Sequence, residues 1–283
     1  MSGQIPSPVV EAYDALRSLN ASWSVDVGKP TASGWIAGAD LRTAASGPFN
    51  ALLARIGERA RTSDRRTIAA SFALRFGWAS AMAIAPYLRH QCVPDIALDN
   101  VSFKFKPSTF FERTAIHEPR GVVVAGDPRA AHPSVSTVPD ADALNAALRR
   151  ELVAQATPVV DALFEWSGFA RRGTWGQLTS SWASQFTALC GDRLDHRSVR
   201  GPLESLFDGD DDVARMRPRL HEVCYRNAVH LFQRRASCCR YYLLPGGELC
   251  TSCPLVADAP RLEKNLAWMQ TQLDRQGPGP GHG

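Results

Sequence analysis

The chain has 283 residues, 45% apolar and 21% charged, a composition suited to one globular domain or two closely packed ones. Its formal charge of +4 is spread over isolated residues and pairs such as Arg65-Arg66, Arg149-Arg150, Arg171-Arg172 and Arg234-Arg235. The dense basic stripe of a dedicated nucleic-acid binder is missing, so nucleic acid is not an expected partner. The first twenty residues lack the basic start, unbroken apolar stretch and small-residue cleavage site of a secretory signal, which predicts a cytoplasmic protein.

Helical periodicity starts at Ser7, with Val9, Val10, Tyr13 and Leu16 on one stripe, and resumes from Phe49 through Leu52, Leu53 and Ile56. Thr67 to Leu88 is apolar over a length that could cross a bilayer, but Arg75 interrupts it. An arginine at mid-bilayer costs about 2.5–3.5 kcal/mol on insertion scales, and Pro86 and the small Ala and Ser residues weaken the span further, which favours a buried helix. The pattern changes at Pro94. Segments 101–106, 112–118 and 121–126 then read as strands, separated by turns at Pro107-Ser108-Thr109 and Glu118-Pro119-Arg120-Gly121.

The Pro- and Ser-rich stretch 127–140 reads as a loop, after which helices dominate. Asp140 is placed to cap a helix through Leu144, Leu148 and Leu152 and on past Val159 and Leu163, with Pro158 expected to kink or divide it. Thr174 to Leu189 and Arg215 to Gln233 read as two more helices, the second with Leu220, Val223, Cys224, Asn227, Ala228 and Leu231 on one face. Asp258 and Pro260 open a last helix whose Leu262, Leu266, Met269 and Leu273 form a docking stripe. The expected fold is α+β and predominantly helical. It has an N-terminal α/β region (1–130) with a buried helix and a small antiparallel sheet, a helical region (131–235), a C-terminal metal-binding module with the last helix (236–276), and a disordered tail (277–283).

Four of the seven cysteines fall within sixteen residues, as C-C-x10-C-x2-C: Cys238, Cys239, Cys250 and Cys253. In a large chain of a reducing compartment this clustering points to metal and away from a disulfide framework. The Cys250–Cys253 half is a common chelate, because a tight turn aims both sulfurs at one centre. The adjacent pair discriminates: neighbouring side chains diverge in extended backbone and do not easily meet on one tetrahedral zinc, whereas two irons relax that demand. Four thiolates are also what a [2Fe-2S] cluster takes. Packing cysteines are disfavoured by the surrounding Pro245-Gly246-Gly247 turn chemistry, and a vicinal disulfide by strain.

The segment ASCCRYYLLPGGELCTSCPL (236–255) resembles the C-terminal signature of FhuF-type ferric siderophore reductases, in which these four positions hold a [2Fe-2S] cluster. The stretches 70–88, 159–163 and 171–186 resemble the helical body that this family shares with a domain of siderophore synthetases. The resemblance implies one-electron reduction of Fe(III) in a hydroxamate-type siderophore, release of Fe(II) in the cytoplasm, and an external electron donor such as a ferredoxin or a flavin- or NAD(P)H-dependent reductase. It leaves peripheral membrane contact open. Arg240, directly after the adjacent cysteines, is the expected compensating charge, so neutralising it should lower the reduction potential. Arg234 and Arg235 read equally well as solvated cations at a helix end.

Two rival classes share the same cysteines, a zinc-stapled binding protein and an iron-sulfur redox sensor, the latter disfavoured by the lack of a DNA-reading helix. Other motifs fail on their spacing. His221-Glu222 lacks a second His at Tyr225, and a calcium loop starting at Asp208 would need Gly at Val213 and Glu at Arg219. No phosphate-binding glycine loop and no G-x-S-x-G elbow is present. The pairs His90/Cys92 and His221/Cys224, and the aromatics Trp166, Phe169 and Trp175, read as packing residues.

Overall fold

A computed structural model describes residues 7–19, 25–189, 196–226 and 228–276. The expected tail 277–283 lies outside this set. The order is α1 (Pro8–Leu19), β1 (Val25–Val27), β2 (Trp35–Ala37), α2 (Gly47–Ala60), α3 (Arg65–Ala79), α4 (Ala81–His90), β3 (Cys92–Pro94), β4 (Val101–Phe105), β5 (Phe111–Ile116), β6 (Gly121–Val124) and β7 (Val135–Val138). It continues with α5 (Ala141–Ser167), α6 (Arg171–Leu189), α7 (His196–Ser205), α8 (Asp212–Arg215), β8 (Arg219–Tyr225), β9 (Ala228–Arg234) and α9 (Asp258–Gln276). The fold is α+β and mainly helical.

The apolar stretch centred on Arg75 folds as α3 and α4, broken at Ser80, whose hydroxyl and backbone N–H both turn back to the Gly77 carbonyl. By length and composition Arg65–His90 could cross a membrane, yet 72% of its most apolar window is buried inside the protein. Phe72 packs on Phe49 with ring centroids 4.7 Å apart, and Phe76 meets Phe103 edge-on at 5.4 Å. Each fully buried ring contributes about 1.5–3 kcal/mol. Arg75 is largely buried, and burial lowers its pKa; its guanidinium lies over the exposed Phe110 ring and donates to Ser71. Tyr13 of α1 donates to the Met82 carbonyl at 2.8 Å, and Ser181 of α6 to the Leu74 carbonyl at 3.0 Å, which ties both helices to this central pair.

The sheets are mixed, where one small antiparallel sheet was expected. One has the order β1-β5-β4-β2 with β1 and β5 parallel, and the other β3-β6-β7 with β6 and β7 parallel. Strands β4, β5 and β6 lie where the sequence predicts them, but β7 comes from the Pro- and Ser-rich stretch expected as a loop. Val135 to Val138 there pair with Gly121 to Val124. Helix α5 is capped by Asp140, which accepts from the Ala143 N–H at 2.8 Å, and it runs unbroken through Pro158. Thr157 donates to the Val153 carbonyl at 2.7 Å in the turn that Pro158 deprives of an amide.

The largest correction falls on Arg215 to Gln233, expected as a helix. The short helix α8 ends at Arg215, where that helix was expected to begin, and the hairpin β8–β9 follows, with Arg226 in the left-handed region (φ 53°) at the turn. One hairpin face carries His221, His230 and Phe232 against Trp268 of α9, with His230 and Trp268 centroids 4.8 Å apart. The other carries Leu231, and Gln233, which donates to the Ser180 carbonyl at 2.8 Å and the Ser184 hydroxyl of α6. Because both faces are covered, the strands lack a clean apolar alternation, and the residual apolar spacing mimics a helix. The docking face of α9 is turned from the expected stripe: Met269 is buried as expected, but Arg261 and Asn265 are buried with it and Leu262 is exposed.

Candidate metal centre

The segment between β9 and α9 holds the four clustered cysteines and little regular structure beyond one short turn of helix at Tyr241–Leu243. Three anchors fix it to the body. Ser237 donates to the Gly173 carbonyl at 2.8 Å and accepts from Gln177 at 2.5 Å, both on α6. This approach requires a glycine at 176, since a Cβ there would lie 2.5 Å from the Ser237 hydroxyl and 2.7 Å from its Cβ. Arg240 reaches the start of α3, donating to Thr67 Oγ1 at 2.9 Å and Asp64 Oδ2 at 2.8 Å. On the far side Arg261, 3% exposed, donates to the carbonyls of Thr251, Cys253 and Val256.

Between the two halves of the motif the chain reverses at Pro245-Gly246-Gly247. A Cβ at Gly247 would sit 2.0 Å from the Tyr241 carbonyl oxygen, so only glycine closes this turn. The reversal brings Cys239 beside Cys250 and Cys238 beside Cys253. The hydrogen bond from the Cys239 thiol holds Cys250 down to about 5, with Arg235 and the Ser252 hydroxyl and amide adding to the effect. The same hydrogen bond, together with burial, pushes Cys239 up, and burial pushes Cys253 up. Every sulfur also faces the amide two residues further on: Arg240 N–H to Cys238 Sγ at 3.3 Å, Tyr241 to Cys239, Ser252 to Cys250 and Leu255 to Cys253. Such amides stabilise thiolate and set the potential of sulfur-bound iron.

Among the described residues no three His, Cys, Asp or Glu side chains converge as a site for one ion. The chain reversal gathers the four sulfurs into one segment, and four thiolates are the donor set that a [2Fe-2S] cluster takes. Arg235 adds an independent sign. It donates through Nε to the Ser252 hydroxyl at 2.9 Å and through its backbone N–H to the Ser252 carbonyl, while its buried Nη1 has no partner among the described residues. A buried guanidinium nitrogen left over beside Cys239 and Cys250 fits a centre of net negative charge.

Arg240, expected as the compensating cation, lies beside the cysteines with its charge engaged elsewhere. Its backbone amide serves Cys238, but its guanidinium is paired with Asp64, whose carboxyl is held below the ordinary range by the Thr67 hydroxyl and by Arg240. Arg235, for which compensation of the cluster and a solvated helix end were equally expected, is the charge that acts on the sulfurs; its partner Ser252 lies 17 residues away, out of reach of a local reading. Cys92 is buried in the core and pushed up to about 12 by that burial, and Cys224 is exposed on β8, so neither joins the four. His221 pairs with Asn265 at 3.0 Å, and Asp211 of the acidic run caps α8.

The outer side of the segment is apolar and open: Tyr241, Tyr242, Leu243 and Leu255 are all exposed. Among curated proteins none matches the chain. The family model of the FhuF 2Fe-2S C-terminal domain matches residues 235–255, a span that contains Cys238, Cys239, Cys250 and Cys253. Residues 235–255 are thus similar to the FhuF 2Fe-2S C-terminal domain, and the cofactor that this likeness indicates is a [2Fe-2S] cluster.

Proposed function

We propose that this protein is a ferric siderophore reductase, with Cys238, Cys239, Cys250 and Cys253 as the cluster ligands. The cluster, when bound, supplies reversible transfer of one electron. The observation that carries the reading is the position of the four sulfurs: they sit in a surface segment, half-buried except for Cys253, between exposed apolar side chains and Arg234 and Arg235 at the end of β9. A centre meant only to staple the chain has no need of such access. Electron transfer to an external chelate does, because the two centres must approach closely.

The chemistry balances with one donor and one acceptor. An external one-electron donor, a ferredoxin or a flavin- or NAD(P)H-dependent reductase, supplies the electron, and Fe(III) in the siderophore is the species reduced. Hard oxygen ligands hold Fe(III) far better than Fe(II), so the gain of one electron turns a tight chelate into a labile one and frees the iron. The hydroxamate class and the cytoplasmic site belong to this proposal as the resemblance of the cysteine segment suggests them. The chain's own part is to hold the sulfurs rigidly through Ser237, Arg240 and Arg261, to damp negative charge through Arg235, and to leave Tyr241 to Leu243 open to a visitor.

The direct experiment mixes anaerobically reduced protein with ferric siderophores of known charge and ligand type and follows cluster absorbance together with capture of Fe(II) by a chromogenic chelator. About one Fe(II) per reoxidised cluster is expected. Reduced protein that stays reduced in the presence of every ferric chelate would contradict the reading.

A further inference from the structure

A cavity of about 300 Å³ opens immediately beside the cysteine segment, lined by Arg215, Arg217, Arg219, Arg234, Arg235 and Pro254, with no acidic residue in its wall. Five guanidinium groups around so small a space repel one another. The hairpin register sharpens the conflict, because Arg219 and Arg234 are directly opposed across β8 and β9, an arrangement that destabilises a sheet unless something neutralises it. The neighbouring carboxylates compensate only in part. Asp258, 86% exposed, lies 3.6 Å from Arg234, and Asp212 lies 3.9 Å from Arg215. Arg217 and Arg219 have no ion pair among the described residues.

Building on the reductase reading, we infer that this arginine pocket is the substrate-recognition site and that the ferric chelate it takes is anionic, presenting ionised carboxylates. Guanidinium is the side chain best matched to carboxylate, through paired parallel N–H donors. The pocket is too small for a whole siderophore and of the right size for its carboxylate-bearing part, which leaves the iron facing the segment that carries the cysteines. A hydroxamate siderophore with carboxylate arms meets both requirements. A cationic hydroxamate chelate does not, since five arginines would repel it.

The test separates binding from reduction by using gallium(III), which has the charge and ligand preferences of Fe(III) but accepts no electron under these conditions. Cluster-loaded protein is dialysed to equilibrium against gallium(III) citrate in excess citrate, or against gallium(III) desferrioxamine B, which is cationic, and gallium is quantified on the protein side. The expected result is preferential retention of the citrate complex, weakening with added salt. In the double variant Arg217→Gln/Arg219→Gln, which touches no cysteine anchor, that retention falls at least about 10-fold with the cluster spectrum unchanged. Equal retention of the two complexes, or undiminished citrate retention in the double variant, overturns the inference. So does a double variant that keeps chelate binding but loses electron uptake from an acidic ferredoxin, since the pocket is then a donor dock. The gallium readings do not depend on reduction of the chelate, so they stand apart from the fate of the reductase reading.

Discussion

Arg235 and Arg240 flank the adjacent cysteines, and what each charge meets decides its effect. Arg240 spends its charge on Asp64, whereas Arg235 has hydroxyl and carbonyl partners and a free buried nitrogen. Replacing Arg235 by Gln is expected to lower the reduction potential by tens of millivolts, about 59 mV for each tenfold shift in a one-electron equilibrium, with Arg235→Lys in between. Arg240→Gln is expected to move it less. Protein-film voltammetry checks both, and the reverse order would restore the compensating role to Arg240. Asp64 makes the strap sensitive to acid. Its native carboxyl is held below the usual range, first by Thr67 and then by Arg240, so unfolding takes up a proton there. The stability it contributes is complete above the unfolded value of about 3.9 and is lost as pH falls through the lower native value. Asp64→Asn should therefore flatten the fall in stability below about pH 4 seen by urea unfolding, and an unaltered slope would remove Asp64 from the account. The four cysteines were legible in the sequence because their spacing is a local property; the couples Cys239/Cys250 and Cys238/Cys253, and the role of Arg235, depend on a chain reversal that spacing alone does not describe.

At the scale of elements, the helices with one buried face were readable. Val9, Tyr13 and Leu16 of α1, and Phe49, Leu52, Leu53 and Ile56 of α2, are all buried. The hairpin was not, since α6 covers one of its faces and α9 the other, and tertiary packing overrode weak local preference. Strand β7 escaped for a related reason, as a short parallel partner of β6 has little alternation of its own. The contact of α6 with the cysteine segment gives the clearest prediction here. Gly176→Ala drives a methyl group into Ser237 and should cost about 1–3 kcal/mol by overpacking, with less cluster retained on purification. Gly201→Ala in α7, where nothing lies within 4 Å of the new methyl, should be neutral or stabilising by up to about 1 kcal/mol. Denaturant melts of the two variants compare them directly, and equal effects would show that the close approach to Ser237 is not needed.

In the whole molecule the core around α3 and α6 is assembled from its own apolar side chains, while α9 depends on the cysteine segment through Arg261 and on the hairpin through Asn265 and Trp268. Removing the cluster by chelation should raise hydrogen exchange in residues 236–257 and in α9 and leave α3 and the buried part of α6 protected. Uniform deprotection would mean that the centre organises the entire fold. The same division explains why the module could be recognised from a short segment although no curated protein matches the full chain: the chemistry is concentrated in residues 235–255 and the body positions it. The central claim, that these thiolates hold a pair of irons, meets its most direct test in metal and sulfide analysis of protein purified without oxygen. About two irons and two acid-labile sulfides per chain are expected, with both lost when Cys239 or Cys250 is replaced by Ala; one zinc per chain and no sulfide would contradict it.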